Sequence, residues 1–414
     1  MFPLFSSFRI SSLLRLVHFD AGSRLRSAAK FGHLQKVKEI LAKSPEALES
    51  RDKMGSTPLL QAVINGQQDV VEYLVQEARA QIDAKLPGSG LNSLIAAASF
   101  GNSKICEMLI KAGAQVDAEM SQNFTALTLA ATSNHPDVVR LLLEAGADPN
   151  KLACDGSSIL MGSITNKADH SVILMLLDAG ANVAVRTTTT GLTALMSACA
   201  MKNEPVIKLL ISKNSDLVNI QGKGGFTALS LACASGADVS TVEYLIKAGA
   251  DPNFISKVDN SGILHCAVQG GNLDLVKYLM RDCNLDPLQV MTNGTTLLMI
   301  ASRFGHHSIA EFLIGNTIIP IDAKSVPEGA TALMLAAQGG HKDIVQMLLE
   351  HGADVEAKLG NGSNVFSLVG RNAASLLDLL LEKWYQIQVS KGSRSKFILY
   401  IQCAVFRLLS FFKK

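Results

Sequence analysis

The sequence predicts an all-α fold, an α-solenoid of stacked helix-turn-helix repeats joined by hairpin loops. Three observations predict it. The stretch TALMLAAQGGHKDIVQMLLEHGAD (331–354) returns in looser form as TALTLAATSNHPDVVRLLLEAGAD (125–148) and TALSLACASGADVSTVEYLIKAGAD (227–251). The leucine of this T-x-L frame falls at Leu59, Leu94, Leu127, Leu160, Leu195, Leu229, Leu264, Leu298 and Leu333, always 33 to 35 residues apart, with Leu25 opening a further unit. A period of that length marks a repeat array, which grows by stacking and needs no single core. Finally, 48 % hydrophobic and 18 % charged residues over 414 positions place the chain in the folded class.

Within each repeat the residues follow a fixed order of physical tasks. Thr57, Thr125, Thr193, Thr227, Thr296 and Thr331 stand two residues before the leucine, where a hydroxyl can cap the first helix by accepting an orphan N–H. Pro58 occupies a first helical position, where a missing N–H costs nothing. Alanine pairs such as Ala130–Ala131 and Ala336–Ala337 keep the first helix thin, so that neighbouring helices can approach closely. Gly66, Gly101, Gly236, Gly271, Gly305 and Gly340 end that helix. Val138–Val139 with Leu142–Leu143 show the 3–4 spacing of an amphipathic second helix, and Gly-Ala-Asp runs lead into the loop. One such unit cannot bury its apolar face alone, so each copy is the core of the next.

This pattern resembles the ankyrin repeat and covers nearly the whole chain outside its two ends. The resemblance implies a protein-binding role, with the partner held on a concave surface of hairpin tips and first helices. The family's Thr-Pro-Leu-His is sparse here, with Pro only at Pro58 and His only at His265. In the family that histidine ties adjacent repeats by hydrogen bonds. Its slot here holds Leu60, Ile95, Thr128, Met161, Met196, Ser230, Met299 and Met334, which predicts that apolar packing has replaced much of the polar tie. The units at Leu160 and Leu229 carry one extra residue in the helix–helix turn. The expected organisation is an N-terminal segment at 1–20, the repeat array at 21–359, a degenerate cap at 360–382 with Phe366 in the leucine slot, and a basic, aromatic-rich helix at 383–414.

Charge and chemistry narrow the function classes. The net charge is +2, but residues 383–414 carry +7 and residues 1–30 carry +4, leaving −9 for the middle. That balance argues against a nucleic-acid footprint on the body. Seven scattered cysteines without a CxxC pair read as reduced thiols, consistent with a cytoplasmic setting. Cys199 and Cys233 share a slot where other repeats have alanine, so they are expected to fill the core. His33, His135, His306 and His341 each stand eight residues after a ruler leucine, and so recur about one repeat apart, too far for joint metal ligation. QGKGGF (221–226) and LPGSG (86–90) lack the strand and the Gly-Lys-Ser/Thr of a phosphate cradle. No catalytic motif, cofactor site or metal site is called for, and the chain reads as non-enzymatic.

Binding is expected at the tips, which are unusually apolar. Phe124, Leu192 and Phe226 directly precede a capping threonine, and Leu91 precedes Asn92. Met120, Leu152, Ile220, Phe254, Ile255, Val258, Met291, Val326 and Leu359 extend the set. Exposed in a line, they would form a strip of the kind that marks partner sites; the alternative is that each packs on its neighbouring hairpin. Lys85, Arg186, Lys223 and Lys257 lie in the same loops and could select an acidic rim.

The ends raise separate expectations. Residues 1–19 have the acid-free, Arg- and Ser-bearing composition of a mitochondrial presequence, and also suit a helix packed on the first repeat. Residues 396–414 are too short and too charged to span a membrane, but could lie in its interface or cover the last repeat. Leu399 and Cys403 are similar to the start of the box by which ankyrin ubiquitin-ligase receptors recruit elongin adaptors, while Arg407 departs from it. The leading expectation is therefore a protein-binding scaffold; a ligase substrate receptor and a peripheral membrane scaffold are its alternatives.

Overall fold

The computed structural model describes residues 20–369 and 374–390. The presequence, adaptor-box and membrane-interface expectations lie outside the described residues, on 1–19 and 391–414. The described residues hold 22 α-helices and no strand. The chain divides into two compact bodies, Met1–Ala194 and Leu195–Lys414.

The first body contains the helix pairs Ala21–Lys30 with Leu34–Lys43, Pro58–Ile64 with Gln68–Gln76, Ser93–Ser99 with Ser103–Lys111, Ala126–Thr132 with Pro136–Glu144, and Ile159–Thr165 with His170–Asp178. First helices pack on first helices and second helices on second helices, so the body has two layers. The second body repeats this with Glu204–Lys213 after Ala194–Ala200, then Ala228–Ala234 with Val239–Lys247, Ile263–Gly270 with Leu273–Arg281, Leu297–Phe304 with His307–Asn316, and Ala332–Gly339 with Lys342–Glu350. The ruler leucines are the floor of both layers: Leu25, Leu127, Leu160 and Leu195 are fully buried. Burying one such side chain contributes about 2 kcal/mol, and each buries itself only against the next copy.

The caps form as the sequence requires. Thr57, Thr125, Thr227, Thr296 and Thr331 each accept from the backbone N–H three residues on. Asn92 and Ser158 do the same where threonine is missing. The extra turn residue of the units at Leu160 and Leu229 is also present: four residues separate Thr165 from His170 and Ala234 from Val239, against three between Thr132 and Pro136.

The polar ties between repeats have moved, and have not been lost as the missing Thr-Pro-Leu-His suggests. Thr128, Ser230 and His265 keep half of the old role by accepting from their own cap's N–H. The link to the neighbouring repeat comes from two other places. At the helix–helix turn, His135 Nε2 lies 3.1 Å from the Ser99 carbonyl, His306 Nε2 3.0 Å from that of Gln269, and His341 Nε2 3.2 Å from that of Arg303. Ser235 and Asn272 donate to the Cys199 and Ala237 carbonyls from the same region. At the loop, a side chain of one repeat accepts an N–H of the next. Asp83 takes Gln115, Asp117 takes Asp148, Asn150 takes Asn182, Asn219 takes Asp251, and Asp322 takes Asp354.

The second body closes with the short helix Val365–Leu368 and the long helix Ala374–Ser390. That helix runs without a break through residue 382, where the sequence suggests a boundary between cap and tail. Leu376, Leu377, Leu380 and Leu381 are buried. Trp384, beyond the expected boundary, donates from Nε1 to Glu356 Oε1 at 3.3 Å and meets Phe366 edge-on at 6.5 Å between centroids. The buried leucine face and the aromatic anchor past it thus lie on one helix, which the described residues follow as far as Ser390.

Candidate protein-binding surface

Three of the tips are closed by a single antiparallel bridge, Leu152 with Ser158, Ile255 with Gly262 and Lys358 with Asn364. Consecutive tips are linked through their backbones. In the first body, Ser121 donates to Ser89, Cys154 to Gln122 and Thr188 to Asp155. In the second, Thr292 donates to Asp259 at 2.8 Å, Val326 to Asn293 at 2.7 Å and Gly360 to Glu328 at 2.9 Å. These bonds hold neighbouring tips in register, so a row of tip residues is a fixed surface.

Tips and first helices share a face. In the first body a groove of about 460 Å³ is lined by Phe124, Lys151, Ala153 and Asp155 from the tips and by Leu129, Thr132, Gly162 and Asn166 from two first helices. Gly162 opens it, since an added Cβ would lie 3.0 Å from Thr132 Cγ2. Hydrogen bonds from Ser157 hold the Asp155 carboxyl below the usual range. Burial acts against Asp259, but bonds from Ser261 and Ser256 hold it low as well. The Lys151 ammonium pairs with Glu119 at 2.8 Å.

The structure divides the apolar tip residues. Leu91, Met120, Phe124, Leu192, Ile220, Phe226, Phe254, Met291 and Leu359 are half-buried. Leu152, Ile255, Val258 and Val326 are exposed, the last two at 64 %, and Lys223 is exposed beside them. Phe226 shows why many fold back: its ring lies over Gly222 and Gly224 of its own hairpin, and a Cβ at Gly224 would come within 2.8 Å of it. The glycines of QGKGGF make room for that ring.

A second exposed set escaped the sequence reading. Phe31, Phe100, Met201 and Phe304 all stand six residues after a ruler leucine, at the end of a first helix, and are 61, 57, 38 and 47 % exposed. Their shared slot was the available signal. The histidine and cysteine slots are structural. His135, His306 and His341 are engaged with carbonyls. Cys106, Cys199 and Cys233 are fully buried. Burial pushes the Cys106 thiol up to about 12 and raises Cys199 and Cys233 as well, which leaves them as poor nucleophiles. Burial also lowers the pKa of His265, whose Nε2 is buried.

Comparison with known proteins now decides the family. The family model for ankyrin repeats (3 copies) matches residues 11–85, 78–153, 157–256 and 263–358. The chain belongs to the ankyrin-repeat family. It is similar to an E3 ubiquitin-protein ligase, KEG, of Arabidopsis thaliana, 27 % identical over 71 % of this chain and 19 % of that protein. It is similar also to an ankyrin repeat and KH domain-containing protein, mask-1, of Caenorhabditis elegans, 33 % identical over 56 % of this chain and 10 % of the relative. The B-cell lymphoma 3 protein homolog of Mus musculus is 30 % identical over 47 % of this chain and 44 % of its own length. The chain thus matches less than half of each relative. Ankyrin repeats bind proteins and are in general non-enzymatic. Among the described residues no helix is long and apolar enough to cross a membrane.

Proposed function

We propose that this protein is a non-enzymatic scaffold or adaptor whose hairpin tips and first-helix face hold a partner protein. The observation that supports this reading best is the recurrence of large exposed apolar side chains in one slot, Phe31 and Phe100 in the first body, Met201 and Phe304 in the second. An isolated exposed apolar residue is ordinary. The same slot left exposed in several copies, in a stack that buries its ruler leucines almost completely, is the pattern of a recognition surface. The half-buried tip residues, Phe124, Leu192 and Phe226 among them, support that surface from beneath. Buried, reduced cysteines support a cytoplasmic setting.

The test is a quantitative pull-down from cell lysate with the full chain and a Phe100→Ser/Phe304→Ser/Val326→Ser variant, matched first for circular dichroism. A set of proteins that drops out with the variant is the expected result. Identical lists from both baits overturn the assignment of this face.

A further inference from the structure

The hairpin tips of the second body carry exposed lysines beside exposed aliphatic side chains, and we infer that they hold an acidic polypeptide segment interspersed with aliphatic residues. This rests on the reading of the tips and first-helix ends as the protein-binding face. The hairpin tips between residues 195 and 359 carry Lys223, Lys257, Lys324 and Lys358 against Asp259 and Glu328, while Asp251, Asp286, Asp322, Asp354 and Glu356 stand in the loop segments leading to them. The second helices are balanced: Glu204, Glu243, Asp274, Glu311, Asp343 and Glu350 are matched by Lys208, Lys213, Lys247, Lys277, Arg281 and Lys342. The acidic balance of the body therefore belongs to its connecting segments, and the hairpin tips themselves carry more cations than acids.

The two groups of cations also differ in what they touch. On the second helices Lys208 pairs with Glu204 and Lys247 with Glu243, both at 2.7 Å, and the Lys277 ammonium lies 5.8 Å over the Phe312 ring. Lys257, Lys324 and Lys358 sit on exposed tips with no ion-pair partner within 4.0 Å among the described residues. Asp259 is turned inward to the Ser261 N–H and hydroxyl, at 3.1 and 2.7 Å. Between the lysines stand exposed aliphatic side chains: Ile255 and Val258, then Val290, then Val326. The backbone bonds from Thr292 to Asp259, Val326 to Asn293 and Gly360 to Glu328 fix these rows side by side.

This alternation selects the partner class. Carboxylates answer the lysines, raise the encounter rate and set register, while aliphatic side chains fill the gaps between the valines and exclude water. A nucleic acid would want flat rings for its bases and forked guanidinium groups for its phosphates. These tips offer branched aliphatics and single-point ammonium groups.

The experiment is fluorescence anisotropy with the full chain and a labelled 16-residue peptide alternating Asp/Glu with Leu/Val. Its companions are a peptide with serine for the aliphatics, a single-stranded oligonucleotide, and vesicles containing phosphatidylserine. The acidic-aliphatic peptide should bind, lose affinity several-fold between about 50 and 300 mM salt, and weaken with serine in place of the aliphatics. A Lys257→Glu/Lys324→Glu/Lys358→Glu variant, folded as judged by circular dichroism, should bind it at least roughly tenfold more weakly. The inference is overturned if the peptide does not bind, if the variant binds it within twofold of the natural chain, or if the oligonucleotide or the vesicles bind more tightly. A lysate partner set that survives the lysine variant but is lost in Phe100→Ser/Phe304→Ser/Val326→Ser would also overturn it, while leaving the scaffold reading standing.

Discussion

Replacing Gly270 with alanine should destabilise the second body, although helix propensity alone predicts the opposite. Gly270 ends the helix Ile263–Gly270 and is not among the glycines with positive φ. On backbone entropy alone, Gly→Ala in a helix gains roughly 0.5–1 kcal/mol. Here a Cβ would lie 2.7 Å from the Gly236 nitrogen and 3.0 Å from its Cα, with the Cys233 carbonyl closer still. These are backbone atoms of the neighbouring repeat and cannot rotate aside. Overpacking of this kind costs about 1–3 kcal/mol, so set against that gain the net change should be a loss of roughly 1 kcal/mol. Gly315 is the internal control. It also lies in a helix, His307–Asn316, without positive φ, and nothing stands within 4 Å of an added Cβ. Gly315→Ala should therefore stabilise by up to about 1 kcal/mol. The assay is urea denaturation followed by helical circular dichroism. Hydrogen exchange over 228–270 should accompany it, because repeat arrays open in parts and a single midpoint averages them. A Gly270→Ala protein as stable as the natural chain would refute the claim that neighbouring backbones meet there.

Burial raises the Cys106 and Cys266 thiols from an ordinary value of 9.0 to about 12. Below pH 9 both states keep these protons, whereas above it only the unfolded thiols ionise, so stability should fall between pH 9 and 12. The slope is about 1.4 kcal/mol per pH unit for each thiol, and urea midpoints for Cys106→Ala should fall less steeply than for the natural chain. Cys154 is exposed and should react with a thiol reagent before Cys106, Cys199 and Cys233 do, as peptide mapping would show. Cys199→Ala and Cys233→Ala should each cost about 1–2 kcal/mol and leave partner binding intact. Asn219 accepts from Asp251 N–H and donates to the Gly249 carbonyl, so Asn219→Ala should lose about 1 kcal/mol and speed exchange of the Asp251 amide.

The fold was legible because each repeat answers to itself. Thr125, Leu127, Ala131 and Gly146 perform their tasks within one unit or against its copy, and a fixed period reveals them. The surface was less legible because exposure depends on the neighbour. Phe226 and Val258 look alike as tip residues, yet the first has glycines of its own hairpin to lie on and the second has none. The ties of His306 and Asp322 were hidden for a related reason: the family's usual tie was read as missing, and nothing in one unit tells that another position reaches across. Charge misled through averaging. Lysine-bearing tips and acidic connecting segments alternate along the second body, so a sum along it reports only their difference. The tail from 383 reads as a separate basic helix because its composition changes there, whereas continuity was decided by Trp384 and the leucines before it.

The loop acceptors have a consequence for how such a chain can change length. Asp83, Asp117 and Asn150 each receive the N–H of the repeat that follows, at nearly the same place in their units. The joint is therefore directional and generic: whatever copy comes next brings a backbone donor that any sequence except proline supplies. A block of one period could be duplicated or removed inside either body, and the new seam would find its acceptor already waiting. Tip residues take no part in that joint, so the ordering of surface features along the chain is free to be reshuffled while the connection between copies stays the same.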